Sequence, residues 1–230
     1  MSLETYAVAA DLYLARGQDV NSSRPAFTGD VFAGVPIPGV QDGGMAIIVA
    51  HPCTMRGPQA RMRERVLVAA VREHVPVLRE AWRKGYYGLM PLPELIDGNL
   101  HVGQFDELGK ALSADLTTDK RVACLSEYGV NLLQQRLIWH LTRLEVETFR
   151  IQEAFAHTFE EADLLEEWTE TLSARGVVSP ADAAASFEAF IRVDHGNGRT
   201  LQKDLRDVQR RSAVRVACRN EARRLSAAST

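Results

Sequence analysis

The chain has few cysteines and no long apolar run. Its three cysteines, Cys53, Cys124 and Cys218, are odd in number and far apart in the sequence. This excludes a disulfide framework and a zinc site built from paired Cys-x-x-Cys motifs, so a reducing compartment is predicted. No window approaches the roughly 20 apolar residues of a membrane-spanning helix. Glu4 and Asp11 interrupt the segment where a secretory signal would need an unbroken apolar run. We therefore expect a soluble, cytoplasmic protein.

The chain also lacks an excess of charge of either sign. Its formal net charge is −3 and its isoelectric point is near 6.1. A protein that coats nucleic acid or a membrane with its whole surface would be strongly basic, so any such contact must be local. Hydrophobic residues make up 46% of the chain and charged residues 25%, which is enough apolar material for a sizeable core.

Residues 3–16 have the spacing of a short amphipathic helix. Apolar residues recur at steps of three and four positions, and Gly17 is a typical helix stop. The following segment, 18–28, is polar and contains a proline, which indicates a linker. Residues 1–28 are therefore predicted to be an N-terminal helix and linker.

Residues 29–125 consist of short apolar or alternating runs that glycine and proline interrupt, a pattern typical of β-strands. Met45–Ala50 is apolar at every position, so we expect it to be buried on both faces. Six short strands in this region fit a small, strongly bent β-barrel domain. The predicted strands are Asp30–Val35, Met45–Ala50, Arg65–Val71, Tyr86–Leu92, His101–Phe105 and Arg121–Leu125.

Residues 126–230 have helical spacing, so the predicted fold class is α+β, a barrel followed by a mostly α-helical C-terminal half. Ser126 is a candidate N-cap for a first helix, and Ser179 followed by Pro180 is a candidate start for a third, over 181–192. A second helix is expected over 148–175, ending at Gly176, and a basic last helix over 201–225. The apolar face of the first helix is predicted to carry Val130, Leu133, Leu137, Leu141 and Leu144.

The run His51-Pro52-Cys53-Thr54-Met55-Arg56 follows the apolar strand, where a rigid scaffold can display reactive side chains. His51, Thr54 and Arg56 are candidate catalytic residues for phosphoryl transfer, with histidine as general base and arginine stabilising the developing charge. Cys53 is a candidate nucleophile if a neighbouring base favours its thiolate. The alternative is an ordinary hydrogen-bonded turn with a buried cysteine. One histidine and one cysteine are too few ligands for zinc, so no metal or other cofactor is predicted.

Two further sets of basic residues are candidates for binding nucleic acid or a partner. Arg136, His140 and Arg143 share one helix face, where they could bind phosphate or form a solvated face. Residues 199–224 hold nine basic and three acidic residues, and the candidates there are Arg206, Arg210, Arg211 and Arg215. This block could neutralise phosphates. It could equally pair with the six acidic residues between 160 and 170, in the same chain or in a partner. Those acids could alternatively hold a divalent cation or form a solvated face.

The β region begins with Thr28-Gly29-Asp30-Val31-Phe32, followed by a loop rich in glycine and proline and by the apolar strand. This order resembles the start of the MazF/PemK family of plasmid-maintenance toxins, whose small barrel cleaves single-stranded RNA or has lost that activity. The resemblance covers residues 28–50, and 51–125 only by strand order. The family's Arg-Pro pair before the second strand is replaced here by Gly43-Gly44-Met45. The resemblance therefore implies the barrel, and no catalytic residue is carried over from it.

The leading hypothesis is a non-catalytic or weakly catalytic component of a bacterial toxin-type or phage-defence module that binds RNA, DNA or an acidic partner protein. One alternative is an active endoribonuclease. The other is a structural oligomerisation subunit whose acidic and basic helices pair between copies of the chain.

Overall fold

The computed structural model describes residues 3–40, 44–57, 62–174 and 178–228. Within these ranges the chain forms a nearly closed antiparallel barrel followed by helices, which confirms the predicted α+β class. The described residues fall into two compact units. The barrel unit takes those within 1–21, 26–55 and 62–154, and the helical unit takes those within 22–25, 56–61 and 155–230. The domain boundaries at 28/29 and 125/126 stay a prediction.

Seven strands form the barrel in the described part of the chain. They are β1 (Tyr13–Arg16), β2 (Val31–Ala33), β3 (Met45–Ile48), β4 (Arg65–Glu73), β5 (Leu89–Ile96), β6 (Asn99–Leu112) and β7 (Arg121–Leu125). Their order in the sheet is β1-β7-β2-β3-β4-β6-β5, and each neighbouring pair is antiparallel. The six predicted strands are confirmed, Arg121–Leu125 with its predicted bounds and the other five with shifted ends, whereas β1 was not predicted. The longest ladder, between β4 and β6, shifts register between Ala69 and Ala70, a bulge that bends the sheet.

Side-chain hydrogen bonds connect the two end strands of the barrel, where backbone pairing between strands stops. Strands β1 and β5 stand at the two ends of the sheet order. The Tyr13 hydroxyl of β1 donates to the carbonyl of Pro93 in β5 at 2.8 Å, and the Arg16 guanidinium donates to the carbonyl of Glu94. Proline has no N–H to give to a ladder, which is why β5 is suited to an edge position.

Alternation along the strands builds the barrel core. On β4, Val66, Val68 and Ala70 point to one side and join Ala46 and Ile48 of β3 in a single apolar cluster. Ile47 points to the opposite side and is fully buried there. The prediction that this strand is buried on both faces is therefore confirmed.

The Gly29-Asp30 pair has an architectural role. Gly29 has φ +88°, and a Cβ there would lie 2.9 Å from the Cβ of Leu125. Only glycine fits such a position. The side chains of Asp30 and Arg121 are each 2% exposed, and their charged atoms lie 3.4 Å apart. Asp30 also accepts a hydrogen bond from the backbone N–H of Phe27. These residues join the beginning of β2 to β7 inside the barrel unit.

The predicted helix over 3–16 is wrong. Ala9–Leu12 form one turn of 3-10 helix, and the chain then extends as β1, which pairs with β7. Two of the four residues that carry the apolar spacing, Ala7 and Ala10, are alanines, which bury little surface. Leu12 is fully buried. The edge of β7 offers backbone hydrogen bonds, and tertiary pairing of this kind overrides a weak helical pattern.

Three helices belong wholly to the barrel unit. Two are single turns, α1 (Pro52–Met55) and α2 (Ala81–Lys84), and the third is α3 (Glu127–Thr142). The Ser126 hydroxyl accepts from the N–H of Gly129, as its capping role predicts. The expected apolar face is correct through Leu137, but Leu141 and Leu144 are 62% and 63% exposed. The helix ends between them, because Arg143 adopts a left-handed conformation with φ +62°.

The remaining helices are α4 (Thr148–Ser173), α5 (Pro180–Ile191), α6 (Leu201–Asp204) and α7 (Arg211–Ala228). The predicted cap at Ser179 is confirmed, and the predicted end at Gly176 lies outside the described residues. Trp168, Phe187, Leu205 and Cys218 belong to the core of the helical unit.

The single basic helix predicted over 201–225 is wrong, because it is divided into α6 and α7. At the division the Asp207 carboxylate accepts from the backbone N–H of Gln209 at 3.0 Å. A local bond of this kind between a side chain and the backbone competes with helix continuation.

Candidate nucleic-acid interface

Four arginines form a stripe along α7. Val214, Cys218 and Ala222 are buried in the helical core at steps of four residues. An arginine directly follows each of these three residues, and a fourth arginine lies three positions before Val214. All four arginines lie on the neighbouring face of the helix. We call this set the arginine row; it comprises Arg211, Arg215, Arg219 and Arg223.

The two inner arginines of the row bind acidic residues of α4. Arg215 donates to both carboxylate oxygens of Glu160 at 2.6 to 2.9 Å. Arg219 donates to both oxygens of Glu167 at 2.6 and 2.8 Å. The hydrogen bonds from Arg219 lower the pKa of Glu167, and those to Glu160 raise the pKa of Arg215. The acidic and basic segments therefore pair within one chain, one of the two arrangements that the charge pattern predicted.

The outer arginines of the row are held differently. Arg211 donates from Nε to the backbone carbonyl of Leu205 at 2.8 Å, and Arg223 has no ion-pair partner among the described residues. Both guanidinium groups thus keep donors that no carboxylate occupies. They are the parts of the row most open to an added anion.

Arg206 and His157 extend this positive region. Arg206 is exposed and pairs with no carboxylate in the part of the chain that the structure describes. Burial lowers the pKa of His157, and the nearby charges of Arg206 and Arg211 lower it further. His157 on α4 therefore shares an environment with two cations.

Arg210, another predicted binding residue, is already engaged. Its guanidinium lies 3.0 Å from Asp204 and 3.1 Å from Asp207. Arg199 also pairs with Asp204, at 3.1 Å. These contacts stabilise the turn between α6 and α7.

A second arginine contact covers the acidic face of α4. Arg24, from the short segment 22–25 of the helical unit, is 6% exposed. It lies 3.0 Å from Asp163 and 2.6 Å from Glu166. Four acidic residues of α4 are thus paired with arginines from two parts of the sequence.

A small groove borders the row between α4 and α7. Its volume is about 190 Å³. Trp168 and Cys218 belong to its apolar part, and its charged lining consists of Glu167, Glu170, Arg219 and Arg223. Burial raises the pKa of the Cys218 thiol to about 12, so this thiol is protonated and unreactive at neutral pH.

The predicted trio on α3 is not a single surface. Arg136 is completely buried and donates to the backbone carbonyls of Leu89, Glu4 and Trp82, the last at 2.7 Å. Burial lowers the pKa of Arg136 to about 10. The guanidinium therefore joins α3 to its neighbours and offers no surface to a ligand.

The other two members of the trio lie near the end of α3. The Nε2 atom of His140 is 3.5 Å from Asp106, and Arg143 is exposed at the C-cap. Asp106 would repel a phosphate approaching His140. Arg143 is the one member of the predicted trio placed to meet a large anion.

The run at the end of β3 forms the single turn α1. The Nδ1 atom of His51 accepts from the backbone N–H of Cys53 at 3.1 Å, and the Thr54 hydroxyl donates to the His51 carbonyl at 2.7 Å. Cys53 is exposed. His51 and Thr54 belong to the barrel unit, whereas Arg56 groups with the helical unit, where its charge acts on Glu188. Their catalytic assignment stays a prediction.

Sequence reasoning missed several residues that belong to the arginine row or to the contacts with α4. Arg219 and Arg223 could have been found from their four-residue spacing after Arg211 and Arg215. Arg24 carries no such signal, since it is a lone arginine in a polar segment. Nothing in the sequence distinguishes Glu160 and Glu167 as the acids that bind the row.

No protein-family model matches the chain, and no curated protein matches it in sequence. None of the described helices combines the length and apolar character needed to cross a membrane. Within the described ranges, no group of three or more His, Cys, Asp or Glu side chains is arranged to hold a metal ion.

Proposed function

We propose that this chain is a cytoplasmic, non-catalytic or weakly catalytic protein of a bacterial toxin-type or defence module, and that its helical unit binds nucleic acid. The contact surface is the arginine row together with Arg206 and His157. The barrel unit, which we propose to be PemK/MazF-like, is the scaffold.

The observation that carries this proposal is the arrangement of four arginines on one stripe of α7, continued by Arg206. Arginine recognises phosphate through paired, charge-assisted hydrogen bonds. A row along a helix suits an extended polyanion better than a small ligand. Because the net charge is −3, such binding must be local and strongly dependent on salt.

The barrel supports binding more than cleavage. The Gly29-Asp30 pair, which carries the family resemblance, is used for packing and for the buried contact with Arg121. The sequence reads Gly43-Gly44-Met45 where the family's Arg-Pro pair, whose arginine acts in cleavage, would be expected. His51 and Thr54 each form a hydrogen bond within their own turn.

The oligomerisation alternative has less support. It assigned the acidic and basic helices to pairing between subunits. In this structure Glu160 and Glu167 bind Arg215 and Arg219 of the same chain. The charges therefore have partners without a second copy.

The test is a salt titration of binding to fluorescent 20-nucleotide single-stranded RNA and to duplex DNA, read by anisotropy. Replacing both Arg206 and Arg211 by Ala should weaken binding to single strands and reduce the slope of log K against log salt by about 1.4, since each lost phosphate contact removes about 0.7. The single variant Arg224→Ala is the control, because this exposed arginine pairs with Glu221 and lies off the row.

Two results would contradict the proposal. One is absence of binding to either nucleic acid at low salt. The other is an equal loss in the control and in the double variant. Capture of an acidic protein instead of nucleic acid from native lysate would point to the partner-protein alternative. Cleavage of the RNA, abolished by His51→Ala, would favour the endoribonuclease.

A further inference from the structure

The centre of the arginine row is already occupied by carboxylates of the same chain. Arg215 and Arg219 each use Nε and Nη2 to bind a glutamate of α4, Glu160 and Glu167 respectively. This two-point geometry is the one by which arginine also binds a phosphate group. A nucleic acid that contacts the inner row through this same edge of the guanidinium groups must therefore replace these carboxylates.

Such replacement is physically accessible. The side chains of Arg215 and Arg219 are each 46% exposed, and those of their partners Glu160 and Glu167 are 14% and 45% exposed. The exposed Arg219–Glu167 pair is of the weak kind that exchanges readily, and the arginine of the other pair is open to solvent. Helix α7 is held independently of them, through Val214, Cys218 and Ala222 in the helical core. The glutamates can therefore leave the arginines while the helices stay packed.

The ends of the row differ from its centre. Arg223 has no carboxylate partner in the described ranges, and Arg211 donates to a backbone carbonyl. A polyanion can thus meet the outer arginines without competition. At the centre it competes with two carboxylates of α4. These carboxylates belong to the same chain, so they bind the arginines without losing translational freedom.

We infer that α4 is a built-in competitor for the polyanion site, so that Glu160 and Glu167 hold the protein in a weakly binding state. This inference rests on the proposed function and adds an autoinhibitory contact to it. The ligand class is an extended single-stranded nucleic acid, whose phosphates take the place of two carboxylates when the contact opens. Any change that removes the acids from the row would increase the number of phosphates bound.

The test compares the wild type with the double variant Glu160→Gln/Glu167→Gln. Glutamine keeps the size of the side chain and removes the competing charge. The matched control is Glu145→Gln/Glu153→Gln, which changes the net charge equally at two exposed acids without an ion-pair partner among the described residues. All three proteins are titrated with salt against the same single-stranded RNA.

Two additional phosphate contacts should make the slope of log K against log salt steeper by about 1.4 in the row variant. Between 50 and 200 mM salt this variant should lose about sevenfold more affinity than the wild type, which is the fourfold change in salt raised to that power. The control should keep the wild-type slope, because removing two acidic charges outside the arginine row makes the protein more positive but adds no phosphate contact.

A further variant protects the test against damage to the fold. Replacing Arg215 and Arg219 by Ala in the double-glutamine protein should abolish its gain and return the salt slope to the wild-type value. Circular dichroism checks the helix content of each variant.

Equal slopes in the wild type, the row variant and the control would overturn the inference. So would a steeper slope that persists when Arg215 and Arg219 are replaced in the double-glutamine protein, since the gain would then not come from these two arginines. Either result leaves the proposed function standing if the Arg206/Arg211 variant still weakens binding. Absence of binding in every protein overturns the proposed function itself.

Discussion

Replacing Asp30 by Asn should destabilise the barrel unit, because it removes the negative charge of a buried ion pair. The side chains of Asp30 and Arg121 are each 2% exposed and lie 3.4 Å apart. Removing one partner of a buried pair leaves the other charge uncompensated, at a cost of about 3–5 kcal/mol. We expect about 3 kcal/mol, at the lower end of that range, because asparagine can still accept from the Phe27 N–H and Arg121 keeps its position 5.6 Å from the Phe32 ring.

Two companion variants divide this cost into its parts. Asp30→Ala also leaves the Phe27 N–H without its acceptor and should lose about 1 kcal/mol more. Asp30→Asn combined with Arg121→Met removes both charges. Since neutral replacements of a buried pair are often tolerated, the double variant should be less destabilised than Asp30→Asn alone. The coupling energy should be at least about 2 kcal/mol.

The assay is urea unfolding followed by tryptophan fluorescence in a Trp168→Phe background. Trp82 and Trp139 lie in the barrel unit, and Trp168 lies in the helical unit, so this background confines the signal to the barrel. Stabilities come from linear extrapolation. Single-variant losses below about 1 kcal/mol, or losses that add within about 0.5 kcal/mol, would refute the reasoning.

Two other predictions concern thiols and protons. A disulfide reagent should modify one thiol, Cys53, in the native protein and all three thiols after unfolding. The reason is that Cys53 is exposed, while burial raises the pKa values of Cys124 and Cys218 to about 12. Rapid reaction of all three thiols in the native protein would contradict the burial of Cys124 and Cys218. Bound RNA should raise the depressed pKa of His157, because phosphates offset the neighbouring arginines. Binding would then take up a proton and strengthen as the pH falls through the raised pKa of His157 in the complex. Nuclear magnetic resonance titration measures the pKa of His157 with and without RNA, and the variant His157→Gln identifies its signal. An unchanged pKa in the complex would mean that the RNA binds elsewhere.

Much of the fold was predictable because it depends on local signals. Glycine and proline separated the apolar runs of the barrel strands, and Ser126 and Ser179 marked helix starts through their capping chemistry. The N-terminal segment was mispredicted, since its strand exists only where β7 offers a partner. The break between α6 and α7 depends on Asp207, whose side-chain bond is one of several that an aspartate can make.

The candidate site was predictable only in outline. Opposite charge blocks at 160–170 and 199–224 indicated pairing, but they did not reveal which glutamate meets which arginine. Arg136 shows the limit most clearly. Its spacing with His140 placed it on a helix face, and the fold then buried Arg136 completely while leaving Arg143 exposed.

The order and type of most elements, and the presence of two opposite charge blocks, followed from the sequence because periodicity, caps and composition act over a few neighbouring residues. The tertiary structure alone decided that Asp30 meets Arg121, that Arg24 reaches α4, and that the inner arginines of the row are already bound. Each of these contacts joins residues more than 50 positions apart in the chain. Their geometry depends on how whole strands and helices pack, which no local pattern encodes.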